Sequence, residues 1–340
     1  MKKIFLIIFC VLLPLSAGAE FLAQPSTEII LNPDQPGPRE NVRASISVLG
    51  VNFNDANITW FADGKIIDRG IGKTTVNFKT KGLGEATAIL VIAQTREGDE
   101  FEAGITINPA NAEIVWESDS YTPPFYKGRA LYAYQGMVKF ATVAEIADKN
   151  GETLLPEEIY YSWFENDQPK LSASGIGKNS YSIQGGYIMK PIEISVSVSS
   201  PDKQSGAKAA VRILPQTPLV VLYEDSPLYG VLYNKSLARS YSLGKDEIGI
   251  VAAPYFFSRV DARFLSYQWL VNQAGVSYGN KPSIILRKPA GISGSSELSL
   301  KVTNREKILQ NALTGLLINF DSKLGNGAGE ANNPFYGENN

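Results

Sequence analysis

The chain has no histidine, and of its 340 residues only Cys10 is a cysteine. The first absence removes Ser-His-Asp and Cys-His catalysis, haem held by an imidazole, and zinc sites built from His and Cys. The second removes disulfides within the folded chain. Charge is sparse too: 19% of residues are charged, and the signs nearly balance at 34 acidic against 32 basic. No basic stretch stands out as a phosphate footprint, so nucleic acid is not an expected partner. Beyond the N-terminus no long apolar run follows, so no stop-transfer helix is expected. Turn formers are plentiful, with 30 Gly and 19 Pro, while hydrophobic residues at 44% suffice for packed cores.

The N-terminus reads as an export signal. Lys2 and Lys3 give a positive start, Ile4 to Leu13 form a ten-residue apolar run too short to span a bilayer comfortably, and Pro14 breaks it. Ala17-Gly18-Ala19 offers a small-x-small cleavage pattern, so residues 1–19 are a signal peptide and Glu20 starts the mature chain. Cys10, preceded by Ile8 and Phe9, does not fit a lipoprotein site and would leave with the signal. Losing Lys2 and Lys3 leaves 30 basic against 34 acidic residues, a net charge of −4. An exported chain without disulfides must hold together by core burial, which needs full-sized domains.

The remaining pattern has period two. Ile192 to Ser199 alternates apolar and polar through four pairs, and Glu297 to Val302 repeats this, as strands with one face in a core do. Turn signals separate such runs: Asp63-Gly64, Glu97-Gly98-Asp99, Asn150-Gly151, Ser205-Gly206 and Gly291 to Gly294. Helical patterning is scarce. Aligning the chain on Trp60, Trp163 and Trp269, spaced 103 and 106 residues apart, exposes a repeat. Ile58, Tyr161 and Tyr267 precede them by two, on the same strand face. Counting forward 29, 31 and 33 residues gives Ile89, Val91 and Ala93, then Ile192, Ile194 and Val196, then Leu298, Leu300 and Val302, all apolar without a gap. A period near 105 is too long for a solenoid and fits a β-sandwich.

The expected architecture is all-β: three tandem antiparallel sandwiches at 20–111, 112–216 and 217–320, each with its own core and able to fold alone. Short proline-containing linkers make a semi-rigid rod the expectation. Residues 321–340, rich in Gly and Asn, read as a disordered tail.

Ile58-Thr59-Trp60-Phe61-Ala62-Asp63-Gly64, Tyr161-Ser162-Trp163-Phe164 and Tyr267-Gln268-Trp269-Leu270 resemble the third strand of immunoglobulin-like domains, where a Trp packs across the sheets. The chain looks most like the bacterial extracellular versions, the PKD-type and other Ig-like repeats found in tandem on surface proteins. The Asp-Phe-Gly-Asp-Gly-like run that follows the Trp in PKD-type domains shrinks to Asp63-Gly64 in the first copy and is lost in the other two. The resemblance implies adhesive, spacing or assembly roles and carries no catalytic residue.

Trp60, Trp163 and Trp269 are therefore expected as structural core rather than sugar-stacking platforms. Trp116 lies outside the repeat. With Tyr121, Phe125 and Tyr126, and with Tyr229 in the similar Ser226-Pro227-Leu228-Tyr229 opening of the third copy, it either seals a Pro-broken first strand or forms aromatic ledges for a partner. Asp148 to Glu152 and Asn54-Asp55 lack the carboxylate density of a calcium loop. Carboxylate pairs such as Glu165 with Asp167, or Asp99 with Glu100 and Glu102, fall in turns without a cleft. No catalytic residue, metal site or cofactor is expected.

The function expected is that of a secreted, non-catalytic bacterial surface or extracellular protein with a structural, spacer or adhesive role. Its partner would be a protein or polysaccharide at the cell envelope, with membrane contact only through an uncleaved signal peptide. The alternatives are an accessory subunit of an envelope assembly, such as a pilus or secretion apparatus, and a carbohydrate-binding accessory protein. Export by the Sec route predicts that N-terminal sequencing of the exported protein starts at Glu20; Met1 with an intact apolar run in the membrane would make the protein anchored.

Overall fold

The computed structural model describes residues 27–188, 190–275, 279–288 and 293–320; the expected signal peptide, Cys10 and the 321–340 tail lie outside them. Among the described residues the chain is all-β, interrupted only by two short 3₁₀ turns. The first sandwich has strands β1 (Glu28–Asn32), β2 (Asn41–Ser47), β3 (Asn57–Ala62), β4 (Lys65–Ile71), β5 (Thr75–Lys79), β6 (Thr87–Gln94) and β7 (Glu100–Ile107), ordered β1-β2-β5 and β4-β3-β6-β7. The second has β8 (Asn111–Ser118), β9 (Met137–Glu145), β10 (Tyr160–Glu165), β11 (Gln168–Pro169), β12 (Gly175–Ile176), β13 (Ser180–Gln184), β14 (Ile192–Ser199) and β15 (Gly206–Ile213), ordered β13-β9-β8 and β11-β10-β14-β15, with β12 also on β10. The third has β16 (Leu219–Ser226), β17 (Gly230–Ser236), β18 (Ser240–Ser242), β19 (Glu247–Tyr255), β20 (Leu265–Val271), β21 (Ala274–Gly275), β22 (Ser283–Arg287), β23 (Gly294–Asn304) and β24 (Asn311–Phe320), ordered β17-β16-β19-β22 and β18-β24-β23-β20-β21. The short β18 runs parallel to β24.

Each Trp-bearing strand is built by the same local devices. Trp60, Trp163 and Trp269 are buried, and each indole N–H donates to a lysine carbonyl: Lys73 at 2.8 Å, Lys178 at 2.9 Å and Lys281 at 3.0 Å. A buried indole needs such a partner, because an orphaned donor costs about 1–3 kcal/mol. The carbonyls are aimed by a tight turn on a left-handed glycine, at Gly72, Gly177 and Gly279, whose φ values lie between 68° and 72°. At Gly72 a Cβ would also meet the Asn54 carbonyl at 2.6 Å, so only glycine fits.

Three residues after each Trp the chain reverses. Asp63-Gly64, Asn166-Asp167 and Asn272-Gln273 all have two positive φ angles, the geometry of a type I′ hairpin. The leading side chain accepts from the strand opposite: Asp63 from Ala88 N–H, Asn166 from Glu193 N–H and Asn272 from Glu297 N–H. The turn missing from the sequence of copies two and three is therefore present, with Asn at its first position in place of Asp.

Register explains why the ungapped alignment works. Trp60 faces Val91 and Trp269 faces Leu300, 31 residues on, but Trp163 faces Val196, 33 residues on. The second copy is longer by two residues between these strands. Because side chains alternate with period two, an insertion of two keeps every apolar residue on the inner face. The cores follow: Phe140, Ile183, Tyr161, Trp163, Ile194 and Val196 pack together in the second sandwich, and Leu222, Ile250, Trp269, Leu300, Val302 and Ile318 in the third.

The chain forms two compact units. Among the described residues one comprises 27–34, Val42–Phe78 and Ala88–Thr106; the other comprises Gln35–Asn41, Lys79–Thr87 and the described residues from Ile107 onward. The second and third sandwiches thus belong to a single unit. Trp163→Ala should lower the stability of that unit by about 3–5 kcal/mol, a large share of the roughly 5–15 kcal/mol typical of a domain. In a calorimetric scan of the full chain the third sandwich should shift with the second; a melt changed by less than about 0.5 kcal/mol would mean that Trp163 is not core.

Candidate binding site at the junction of the second and third sandwiches

Between β8 and β9 the second sandwich carries an insert, residues 119–136, that reaches onto the third. Its first part pairs as a strand would. Ser120 bridges Ser258, Tyr121 N–H donates to Phe257 at 2.6 Å, Phe256 N–H to Tyr121 at 2.7 Å, and Arg259 N–H to Asp119 at 2.9 Å. Its last part is held by amides: Gln135 Oε1 accepts from Leu309 N–H at 2.8 Å, and Gln310 Nε2 donates to Tyr134 O at 2.8 Å. Gln310 is fully buried, and its Oε1 accepts from Ser258 N–H and Asn304 Nδ2.

Below the amides lies a charge cluster. Lys307 Nζ is 2.8 Å from Asp261 Oδ2 and 3.7 Å from Asp119 Oδ2, and it donates to Ser258 Oγ at 3.1 Å; Ser258 Oγ in turn donates to Asp119 Oδ2 at 2.6 Å. All three charged side chains are largely removed from solvent, which strengthens their attraction and raises the cost of losing one partner.

Between these polar ends the contact is apolar and aromatic. Ala133 packs with Val221, Tyr223, Ala253, Tyr255 and Phe256, flanked by Tyr126, Leu131 and Tyr233. The Tyr126 ring meets Tyr255 edge-on at 5.6 Å, and the Tyr223 and Tyr255 hydroxyls are 2.6 Å apart. The outer face of β16 and β19 is thereby covered, so Val220, Val221, Leu222 and Tyr223 are all buried. Sequence reasoning missed these residues, although the unbroken apolar run Leu219 to Tyr223 is the signature of a strand buried on both faces.

A cavity of about 330 Å³ opens beside this contact, lined by Tyr121 from the insert and by Tyr233, Phe257, Arg259, Leu265 and Tyr267, among others, from the third sandwich. Burial pushes the Tyr267 phenol up to about 12, and the neighbouring Tyr121 adds to this. Burial, with Tyr233, raises Tyr121 in turn. Tyr121 and Tyr267 are therefore protonated at neutral pH and can donate hydrogen bonds.

The structure brings two of the sequence-derived aromatic candidates to the junction, Tyr121 and Tyr126. Trp116 is elsewhere, half-buried against the core of the second sandwich, with the Arg129 guanidinium 4.2 Å above its ring. Phe125 is 90% exposed, and Tyr229 is 81% exposed at the tip of the β16–β17 hairpin. Trp60, Trp163 and Trp269 lie inside their sandwiches. Asp148 turns its carboxylate onto the backbone N–H groups of Asn150 and Glu152, which hold it below its ordinary value, and Glu165 pairs with Lys170 and Tyr181. No group of three or more His, Cys, Asp or Glu suited to a metal occurs among the described residues.

No protein-family model matches the chain, and no curated protein does. Among solved structures, it is similar to the three N-terminal domains of the bacteriophage RB49 Highly Immunogenic Outer Capsid protein at 12% identity and TM-score 0.27, covering 87% of this chain and 98% of that one. The central fibronectin-III array of RIM-binding protein gives 12% identity and TM-score 0.30 over 87% and 98%. A structure concerning host cell surface retention of a 1.5-MDa bacterial ice-binding adhesin gives 8% and 0.22 over 87% and 99%. Scores this low say nothing about the junction, and the sandwich fold rests on the sheets themselves.

Lys307→Met leaves Asp119 and Asp261 together without their cation. It should destabilise the unit by about 3 kcal/mol, the low end for a buried pair. Adding Asp119→Asn and Asp261→Asn should recover most of the loss. Equal melts for wild type and the single variant would mean the cluster does not hold the junction.

Proposed function

We propose that this chain is a secreted, non-catalytic surface or extracellular protein with a structural, spacer or adhesive role, and that its second and third sandwiches act as one stiff presenting element. The insert 119–136 carries this reading. Two domains joined only by a short linker would move by default, whereas a buried amide network, a charge cluster and an aromatic contact fix their orientation. Rigidity is what a spacer or adhesin stalk needs, because bending under load would waste reach. No helix among the described residues is long and apolar enough to cross a membrane. Partners of this class are envelope proteins or glycans.

A second reading, the accessory subunit of an envelope assembly, draws support from the β16–β17 hairpin tip, where Leu228 and Tyr229 are 85% and 81% exposed. A photo-crosslinker at Tyr229 that captures one envelope protein stoichiometrically would favour it.

The stiff-element reading is tested by spin labels on Ser182→Cys and Lys301→Cys, exposed positions on the second and third sandwiches. The distance distribution should be narrow and should broaden in Lys307→Met. A broad wild-type distribution would remove the rigid-presenter role.

A further inference from the structure

The cavity beside the junction has a composition that points to a ligand. Its described lining carries one cation, Arg259, and no carboxylate. Among the described residues the Arg259 side chain makes no ion pair and no hydrogen bond; only its backbone is engaged, with Asp119. The Tyr267 hydroxyl likewise has no hydrogen-bond partner, although its phenol is half-buried and its backbone N–H is taken by Asn280. The exposed Arg259 guanidinium and the half-buried Tyr267 phenol thus place two donors on the lining of one apolar hollow.

The shape excludes a strand. β22 pairs with β19 only as far as Val251, and Ala252 N–H closes the ladder on Pro282 O at 2.8 Å. The next residue pointing to that open side is Pro254, which has no N–H, and its carbonyl is taken by Phe257 N–H. An added peptide strand would find no N–H at Pro254 to pair with there. A discrete molecule held by side chains suits this lining better than a paired strand.

We propose that this cavity binds a small organic anion, a carboxylate on a flat apolar or aromatic body, with the carboxylate on Arg259 and the Tyr267 hydroxyl and the body against Phe257, Leu265 and Pro282. At interior packing density the volume of about 330 Å³ accepts about a dozen non-hydrogen atoms, within the lower range of small-molecule sites. Because Tyr121 comes from the second sandwich, the pocket is complete only when the junction is made. The proposal does not depend on the surface role above.

The test titrates the full chain with 2-naphthoate, 2-naphthamide and 2-naphthylmethylammonium by calorimetry and ligand-observed NMR. Naphthoate should bind saturably, one per chain, with Kd of about 1 mM or tighter. The amide should bind about tenfold more weakly and the ammonium not at all, because charge-assisted bonds carry the recognition. Arg259→Gln should weaken naphthoate about tenfold, and Tyr267→Phe by a smaller factor. Ala262→Phe, at an exposed lining position, should block the probe with the fold intact. Absence of saturation by naphthoate, equal binding of the amide, or affinity unchanged in Arg259→Gln and Ala262→Phe each overturns the proposal.

Discussion

A buried indole that must spend its N–H organises each of the three sandwiches. With no disulfide in the described chain, core burial has to fix how the two sheets meet, and burial alone is non-directional. The Trp supplies direction. Its ring fills the space between the sheets while its N–H reaches a carbonyl beside a left-handed glycine, on the connection that leaves the Trp-bearing sheet. The hairpin three residues later then sets the register of the Trp strand against its long neighbour. Sheet spacing, turn and register are thus tied to one residue in each copy.

The junction adds a second kind of order. The apolar face of β16 and β19 would be a liability in solution, a patch rimmed by polar groups. The insert covers it with side chains from the preceding sandwich and ends in amides and charges that satisfy one another. Hydrophobic cover gives the attraction, and the amide and charge contacts give one orientation rather than many. The same geometry sets Arg259 and Tyr267 on the lining of the cavity that opens beside it.

Most of the fold was legible in the sequence because period-two alternation survives errors of two residues. The alignment of Ile194 with Val91 and Leu300 is off by one residue pair, yet Ile192, Ile194 and Val196 all still face inward. The hairpins at Asn166-Asp167 and Asn272-Gln273 were not read, since neither contains the glycine that usually marks positive φ. The junction was harder still. Tyr121 and Tyr126 stood out as aromatics, but nothing local to Gln135, Gln310 or Lys307 marks a polar residue that will be buried against a chain segment over 170 residues away. Long-range burial leaves its trace only on the receiving strand, in the continuous apolar run of Leu219 to Tyr223.

That insert also bears on how such a chain can grow or shrink. A tandem array normally lengthens by copying one domain, because each copy brings its own surface. Here a second sandwich duplicated alone would present residues 119–136 to a neighbour without the matching face, and a third sandwich duplicated alone would bare Val221 and Tyr255 to water. The second and third sandwiches are therefore one heritable module, to be copied or lost together.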